Sequence, residues 1–382
     1  MSETFIPYGR QTIDEQDIQA VLQVLKGDYL TTGPAVAQFE RRLCEITGAA
    51  AAVAVNSGTA ALHAAYFAAG LKAGQEIITT PLTFAATANA ARYLGADVRF
   101  VDIDPATGLI DPKLIEQAIT SRTGLIAPVD YTGQPADYDT INAIAQKHGL
   151  PVVADAAHSL GATYKGRSVG TLATLTTTSF HPVKPVTTAE GGAILTPHAD
   201  LAAIASRFRT HGITRDPALL QRNEGPWWYE MHDLGFNYRL PDLNCALGIS
   251  QLSKLDRFLA RRRQIAAMYD QGLSSSQDLI LPRVAADVVS GWHLYVVRLA
   301  GDASRRRAVV EYLHQQKIGV QVHYIPVHLQ PYYQSLGFKA GMFPQAEDFY
   351  SRCFSLPIFP AMSDADVSRV IEKVLYAAAH VV

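Results

Sequence analysis

Short apolar runs alternate with longer segments of helical character along the first half of the chain. The runs predicted to be strands are Ala51–Val55, Glu76–Pro81, Val98–Asp102, Gly124–Val129 and Pro151–Asp155. The segments between them predict helices: an alanine-rich one that ends near Ala69, then Ala85–Leu94, Ile110–Ile119 and Thr140–His148. Such alternation is typical of an α/β fold with a mainly parallel, buried sheet.

Two helices are predicted before the first strand. Thr12 is a candidate N-cap of the first helix, because Glu15 follows three residues later in a capping-box pattern. The second helix carries apolar residues at helical spacing from Val36 to Ile46, and Gly48 closes it.

The pattern loosens after residue 192 and changes character. Arg215–His232 is polar and aromatic and predicts an excursion from the core, and a long helix is predicted from Pro241 to Gly272. The elements predicted around and beyond these are helix His198–Arg209, strand Leu294–Leu299, helix Ser304–Gln316, strand Val320–His323, and helices Ala346–Cys353 and Ser363–His380. We therefore expect a large α/β domain over residues 1–250 and a smaller α+β domain over residues 251–382.

Composition narrows the class of protein. The 382 residues are 48% hydrophobic and 18% charged, with a net charge of −2, so nothing favours binding to nucleic acid or to a membrane surface. Cys44, Cys245 and Cys353 are widely spaced, which fits buried thiols in a reducing compartment. The N-terminus shows no secretory pattern and no apolar run is long enough to span a membrane, so we expect a cytoplasmic protein.

Lys184 lies in an irregular segment between two apolar runs. Pro182 and Pro185 flank it, and two glycines precede the next predicted strand, Ala193–Leu195. Most loop lysines are solvated, whereas a desolvated lysine amine is a nucleophile that forms Schiff bases with aldehydes. This segment alone leaves both interpretations open.

Three more features fall at predicted strand ends, where parallel α/β sheets bind their ligands. They are the polar turn 56–59 that opens a helix, Phe84, and Asp155 at the end of its strand. Each has an ordinary alternative, since Ser57 suits a helix N-cap and Asp155 suits an acid bonded to its own turn. The Lys184 loop also falls at a strand end, which favours one shared ligand.

That ligand is a pyridine ring that bears an aldehyde and a phosphate, as in pyridoxal 5′-phosphate. Lys184 would condense with the aldehyde, Asp155 would keep the ring nitrogen protonated, and Phe84 would stack on the ring. His158 would donate toward the phenolic oxygen. The candidate phosphate contacts are Ser57, Gly58, Thr59 and the hydroxyl of Ser179.

The sequence also resembles a known family over the region from about Pro7 to the C-terminus. The motifs that carry the resemblance are Asn-Ser-Gly-Thr at 56–59, Thr-Thr-Pro-Leu-Thr-Phe-Ala-Ala-Thr-Ala-Asn at 79–89, Asp-Ala-Ala-His-Ser at 155–159, Ser-Phe-His-Pro-Val-Lys-Pro at 179–185 and Gly-Phe-Asn-Tyr-Arg-Leu at 235–240. They are similar to those of the DegT/DnrJ/EryC1/StrS sugar aminotransferases. The resemblance implies fold type I of the pyridoxal-phosphate-dependent transferases, the aspartate-aminotransferase-like fold.

The resemblance also implies roles for particular residues. Lys184 is the Schiff-base lysine, Asp155 the partner of the ring nitrogen, and Asn237 is similar to an asparagine that reaches the neighbouring subunit's site, so a homodimer is implied. Residues implied to line the nucleotide-sugar pocket are Tyr8, Asp28, Tyr29, Leu30, Thr31, His323, Tyr324, Ile325, Pro326 and His328. His323 and His328 have too few partners at useful spacing for zinc, so no metal is expected.

The runs 181–192 and 321–328 look closest to the branch that makes UDP-4-amino-4,6-dideoxy-N-acetyl-β-L-altrosamine for pseudaminic acid synthesis. The resemblance thus implies transfer of the amino group of L-glutamate to C4 of a UDP-linked 4-keto-6-deoxy sugar. Asp28, Tyr29 and His328 depart from that branch and leave the exact sugar open. A sugar dehydratase of the same family would have histidine at the position of Lys184, so the lysine favours transamination. A regulator that binds the cofactor or a sugar without turnover remains an alternative of another class. A nicotinamide dehydrogenase is not supported, because no Gly-x-Gly-x-x-Gly turn follows the early strands.

Overall fold

The computed structural model describes residues 4–381. Its helices are α1 (Glu15–Leu25), α2 (Pro34–Thr47), α3 (Gly58–Ala68), α4 (Ala85–Tyr93), α5 (Pro112–Ala118), α6 (Tyr138–His148), α7 (Ala199–Phe208), α8 (Asp242–Leu252), α9 (Leu255–Leu273), α10 (Arg306–Gln315), α11 (Pro331–Ser335), α12 (Pro344–Arg352) and α13 (Asp364–His380). Its strands are β1 (Ala51–Val55), β2 (Glu76–Thr79), β3 (Asp97–Phe100), β4 (Thr123–Ile126), β5 (Val153–Asp155), β6 (Thr163–Tyr164), β7 (Arg167–Ser168), β8 (Leu175–Ser179), β9 (Gly192–Thr196), β10 (Ile213–Thr214), β11 (Glu230–Met231), β12 (Leu279–Ile280), β13 (Val288–Val289), β14 (Tyr295–Leu299) and β15 (Cys353–Leu356).

One twisted sheet organises the N-terminal part of the chain. Strands β3, β2 and β4 pair in parallel, and β5, β8, β9 and β1 form a second ladder. Parallel bridges from Ile126 to Val152 and from Val129 to Asp155 join the two ladders. Only β9 of this sheet runs against its neighbours, β8 and β1. The prediction of a mainly parallel α/β sheet is confirmed, and the carboxyl ends of β1, β2, β5 and β8 lie at one edge.

Helices cover both faces of this sheet because side chains alternate along each strand. Val53 and Val55 pack with the alanine-rich helix α3, whereas Ala54 between them packs with α2 and α8 on the other face. Helices α5 and α6 extend that second layer over β2, β4 and β5. The small side chains of α3 let its backbone approach the sheet closely, which brings the first turn of α3 to the edge where the strands end.

A smaller antiparallel sheet, β12-β14-β15, lies in the C-terminal part. It packs with α10, α13 and the second half of α9 in a separate core cluster. The first turns of α9 pack instead on α2 and α8 in the core of the N-terminal part. We propose the division into residues 1–250 and 251–382, with α9 as the helix that connects the two cores. No helix within residues 4–381 is long and apolar enough to cross a membrane.

Three local predictions were wrong. The N-cap of α1 is Asp14, which forms a capping box with Asp17, and not Thr12. The long helix predicted from Pro241 to Gly272 is broken at Ser253 and Lys254 into α8 and α9. The predicted strand Val320–His323 makes only a single bridge, between Gln321 and Ser355.

Candidate active site

A cavity of about 380 Å³ opens at the carboxyl edge of the large sheet. Predicted site residues that line it are Tyr8, Ser57, Gly58, Thr59, Phe84, Asp155, His158, Ser179, Lys184, His323 and Tyr324. They come from segments between residues 8 and 324, and the parallel topology brings them together as expected for strand ends.

The β8–β9 loop carries Lys184 into this cavity. The amide of Lys184 donates to the carbonyl of His181 at 2.9 Å, and the amide of Phe180 donates to the carbonyl of Gly191 at 2.9 Å. Pro182 and Pro185 restrict the backbone on both sides of the lysine. The loop is therefore a closed, hydrogen-bonded turn that holds the lysine side chain against the end of the sheet.

The Lys184 amine lies beside a histidine that sequence reasoning missed. Lys184 Nζ is 3.3 Å from His293 Nε2. Burial lowers the pKa of Lys184 to about 8, while the Asp155 carboxylate opposes this shift and the Arg262 guanidinium adds to it. A substantial neutral fraction of the amine therefore exists near neutral pH, as a nucleophile or general base requires.

Asp155 ends β5 with its carboxylate buried in the cavity wall. Thr87 Oγ1 donates to Asp155 Oδ2 at 2.6 Å, and the amide of Ala157 donates to Oδ1 at 3.2 Å. Burial raises the pKa of Asp155, and these donors together with the Lys184 charge oppose that rise. The carboxylate thus has fixed donors and can accept a further cationic donor from a ligand in the cavity.

The first turn of α3 forms another wall. Ser57 is the N-cap and its Oγ accepts from the amide of Ala60 at 3.0 Å. A Cβ on Gly58 would lie 2.9 Å from Ser179 Cβ, so only glycine allows the turn and the end of β8 to approach so closely. The amides of Gly58 and Thr59 have no carbonyl one turn earlier to bond, and they make a natural anion site beside the two serine hydroxyls.

Histidine and aromatic rings enclose the remaining sides. His158 Nε2 lies 3.0 Å from the hydroxyl of Tyr324, and the His158 ring centroid is 4.5 Å from that of His293. Burial lowers the pKa of both histidines well below the usual range, so both rings are neutral. Phe84 is 60% exposed at the cavity mouth, 6.0 Å from the Tyr324 ring, which leaves one of its faces free for a ligand.

The other predicted residues do not line the cavity of this chain. Four of them are exposed in the loop between α1 and α2, namely Asp28, Tyr29, Leu30 and Thr31. Asn237 is exposed and forms a β-bridge with Thr210. Ile325 and Pro326 are not among the residues that line the cavity. His328 is fully buried and pairs with Glu347 at 2.9 Å. A role for His328 in sugar binding stays a prediction.

Sequence reasoning missed residues that act on the two central groups of the site. Thr87 holds Asp155, His293 lies beside Lys184, and the Arg262 charge helps to lower the pKa of Lys184. Phe84 is a candidate because it follows a predicted strand end. Thr87 lies about one helical turn after Phe84, so the same reasoning could have found it. His293 and Arg262 carry no such signal, since they belong to the C-terminal segment and reach the site only through the packing of α9 and β14.

The DegT/DnrJ/EryC1/StrS aminotransferase family matches residues 11–375. The chain belongs to this family. The predicted family and the predicted fold type I are thus confirmed, and the chain is an aminotransferase of the kind that acts on sugars.

Two related DegT-family proteins match nearly their whole length. The spore coat polysaccharide biosynthesis protein SpsC of Bacillus subtilis is 41% identical over 97% of this chain and 96% of SpsC. The UDP-4-amino-4,6-dideoxy-N-acetyl-β-L-altrosamine transaminase of Campylobacter jejuni is 39% identical over 96% of this chain and 95% of that protein.

Two solved DegT-family structures are equally similar in fold. Helicobacter pylori PseC, an aminotransferase involved in the biosynthesis of pseudoaminic acid, has a TM-score of 0.93 at 32% identity and covers 98% of this chain and 100% of PseC. Streptococcus pneumoniae Spr1654, solved in its PLP-form, has a TM-score of 0.93 at 31% identity, and the match covers 99% of this chain and 100% of Spr1654.

The cofactor of this DegT-family chain is pyridoxal phosphate, as predicted. The cavity fits it on several counts. It contains one amine, one buried carboxylate and one anion-binding turn, and the buried Nδ1 atoms of His158 and His293 have no partner within residues 4–381. The close Gly58–Ser179 approach forms a cradle that a Cβ would fill.

Proposed function

We propose that this protein moves the amino group of L-glutamate to C4 of a UDP-linked 4-keto-6-deoxy N-acetyl hexosamine, as in pseudaminic acid synthesis. The observation that carries the proposal is the Lys184 amine, with its pKa lowered to about 8, in one cavity with Asp155. The names of the Campylobacter relative and of PseC support this substrate class.

Each residue has one task in this proposal. When bound, pyridoxal phosphate supplies an aldehyde that carries the amino group and a ring that accepts electrons. Asp155 would hold the ring nitrogen, the 57–59 turn and Ser179 would hold the phosphate, and Phe84 would cover the ring. His158 would donate to the phenolic oxygen.

Lys184 would also move the protons. The freed amine would take a proton from Cα of glutamate in the first half of the reaction and deliver one to C4 of the sugar in the second. An amine with its pKa near 8 can do both close to neutral pH, because neither of its protonation states is rare there. A lysine at its ordinary pKa of about 10.4 would be almost entirely protonated at pH 7.

We also propose a homodimer. A group of apolar side chains is exposed just before Asn237, namely Trp227, Tyr229, Met231, Leu234 and Phe236, of which Leu234 is 81% exposed. Exposed apolar surface of this kind marks protein–protein contacts. A partner on this face would cover these side chains and let Asn237 reach the neighbouring cavity. The loop at 28–31 is exposed as well and is available to complete the sugar pocket of the partner.

The reducing environment of the cytoplasm suits the three cysteines. Cys245 and Cys353 are buried and Cys44 is partly buried, and none of them is in a disulfide. We therefore propose a cytoplasmic protein.

The decisive experiment is mass spectrometry of products from a panel of UDP-4-keto-6-deoxy hexoses with L-glutamate. We expect one amino sugar to dominate, with loss of turnover and of the visible cofactor band in Lys184→Ala. Conversion of a different nucleotide-linked keto sugar would favour the alternative, an aminotransferase for another 4-keto-6-deoxy sugar. The similar identity to SpsC keeps that alternative open. Bound cofactor without conversion of any keto sugar would favour a non-catalytic, sugar-binding regulator and overturn the proposal.

A further inference from the structure

Arg262 is a buried arginine for which the described residues provide no carboxylate. It lies on α9, its side chain is 0% exposed, and its hydrogen-bond partners within residues 4–381 are main-chain carbonyls. Its Nε has no hydrogen-bond partner among those residues. A buried charge without a counter-charge is costly, and an apolar side chain of similar volume is often as good or better. Packing alone therefore does not explain an arginine at this position.

The guanidinium fixes the backbone that carries His293. Nη1 lies 3.2 Å from the carbonyl of Trp292, 3.3 Å from that of His293 and 2.8 Å from that of Ile358. Trp292 has a φ of 45°, which is unusual for a bulky residue and persists only where its surroundings enforce it. A main-chain bond of 2.9 Å from Gly291 to Gly133 holds the same turn from the other side. Arg262 thus helps to hold the backbone segment from which the His293 side chain extends.

The His293 ring then meets the Lys184 amine. Its Nε2 lies 3.3 Å from Lys184 Nζ, and its Nδ1 has no partner among the described residues. Burial, the nearby Lys184 and Arg262 charges and the His158 ring keep the pKa of His293 well below its usual range. With the ring neutral and its proton on Nδ1, the Nε2 lone pair accepts a hydrogen bond from Nζ.

The charges around the amine pull in opposite directions. The titratable groups that line the cavity with it are Tyr8, Asp155, His158, His181, Glu190, His293, His323 and Tyr324. Arg262 lies outside this lining, and its charge also acts on the amine. Asp155 favours the ammonium form and Arg262 disfavours it, and the three buried histidines are neutral. Arg262 is therefore the group that offsets the attraction of Asp155.

We propose that Arg262 and His293 are positioning residues for the Lys184 amine: Arg262 supplies a positive charge and holds the backbone that carries His293, and His293 Nε2 holds Nζ in place. The proposal rests on the proposed function, since it takes Lys184 to be the group that moves protons. The two residues have opposite effects on the amine. The Arg262 charge disfavours the ammonium, whereas the His293 lone pair stabilises it, because a hydrogen bond from a charged donor is the stronger one.

The test is the pH titration of Lys184 in the cofactor-free protein. The protein is pulsed with acetic anhydride between about pH 6 and about pH 10.5, a range that spans the ordinary lysine pKa. Mass spectrometry then gives the acetylation of Lys184 relative to the exposed Lys113. We expect the wild-type midpoint near 8. In Arg262→Met it should rise by about one pH unit, and in His293→Phe it should fall by about half a unit or more. Arg263→Met is the matched control, because this neighbour on α9 contacts the same loop at Ser290 and should leave the midpoint in place.

Opposite shifts are the signature of the proposal, since a merely loosened site would move both midpoints toward that of an exposed lysine. An Arg262→Met midpoint within about 0.3 pH units of wild type, smaller than any near-neighbour charge effect, overturns it. So does an equal rise in the Arg263→Met control. Where circular dichroism shows Arg262→Met to be unfolded, Arg262→Lys, which keeps the charge, must retain the wild-type midpoint while His293→Phe still lowers it. The titration uses neither cofactor nor substrate, so a protein that shows opposite shifts but converts no keto sugar would refute only the proposed function.

Discussion

Replacing Thr87 by valine removes one hydroxyl from the buried carboxylate at the centre of the site. Thr87 Oγ1 donates to Asp155 Oδ2 at 2.6 Å, and both residues are buried. Valine has nearly the same shape, so the hydrogen bond is lost without opening a cavity. A hydrogen bond to a charged group contributes about 1.5–3 kcal/mol. Every 1.4 kcal/mol is a factor of ten, so pyridoxal phosphate should bind about tenfold more weakly and at most about 150-fold, because the cofactor-free protein loses the same bond.

The size of this effect depends on pH in a direction that the structure gives. Burial has already raised the pKa of Asp155, and Thr87 is the first of the groups that oppose the rise. Without that donor, the carboxyl takes up a proton at a higher pH and can no longer hold a cationic ring nitrogen. The loss of affinity should therefore grow as the pH falls.

The measurement is equilibrium titration of cofactor-free protein with pyridoxal phosphate at two pH values. Thr87→Ser keeps the hydroxyl and should bind close to wild type. Thr79→Val is the matched control, because the Thr79 hydroxyl is equally buried but donates to the carbonyl of Ala127 at 2.7 Å, outside the cavity. A Kd of Thr87→Val within about threefold of wild type, or an equal loss in Thr79→Val, would refute the role given to this hydrogen bond.

Two further predictions concern the cradle and the pH dependence of stability. Gly58→Ala puts a Cβ 2.9 Å from Ser179 Cβ, so the turn and β8 must separate. Cofactor affinity measured by equilibrium dialysis should then fall at least about tenfold. Gly27→Ala, whose added Cβ would meet nothing closer than 3.5 Å, should bind the cofactor normally, and equal affinities of the two variants would contradict the cradle. Burial lowers the pKa of His63 to about 4, so on acidification the unfolded chain takes up this proton before the folded protein does. The contribution of neutral His63 to the free energy of unfolding is complete well above pH 6.5 and is lost as the pH falls toward 4. At pH 5 the loss is about 2 kcal/mol. Urea unfolding of His63→Phe should show that much less loss between pH 7.5 and pH 5, and parallel pH curves for the two proteins would count against this origin.

The large sheet and most of its site were predictable because one rule links them. Strand ends of a parallel sheet meet at one edge, so the order of strands and helices along the chain is enough to group Ser57, Phe84, Asp155 and Lys184. All four line the same cavity. Their roles stay predictions, since shared location does not by itself show which atom of a ligand each one touches.

Local signals failed where distant ion pairs decide. Thr12 and Asp14 both precede an acidic residue by three positions, and Asp14 in addition pairs with Lys254 and Arg257. Lys254 is 5% exposed and pairs also with Asp17 at 2.8 Å, which explains why the chain turns between α8 and α9 without a glycine or proline. A local sequence pattern does not show which distant residues come into contact.

The groups that tune the site were the least predictable, for an electrostatic reason. Asp155 is buried in the cavity wall and Arg262 is buried on α9 outside the cavity lining, and the two form no ion pair with each other within residues 4–381. When the Lys184 amine is neutral, an ionised Asp155 and a protonated Arg262 cancel, and these three buried groups carry no net charge. When Lys184 is an ammonium, the three groups carry one positive charge away from water, which is unfavourable. Charge balance across the cavity thus favours the reactive form of Lys184. That balance depends on α9, which brings an arginine from the C-terminal core to a lysine on the large sheet, and no motif around Lys184 contains that information.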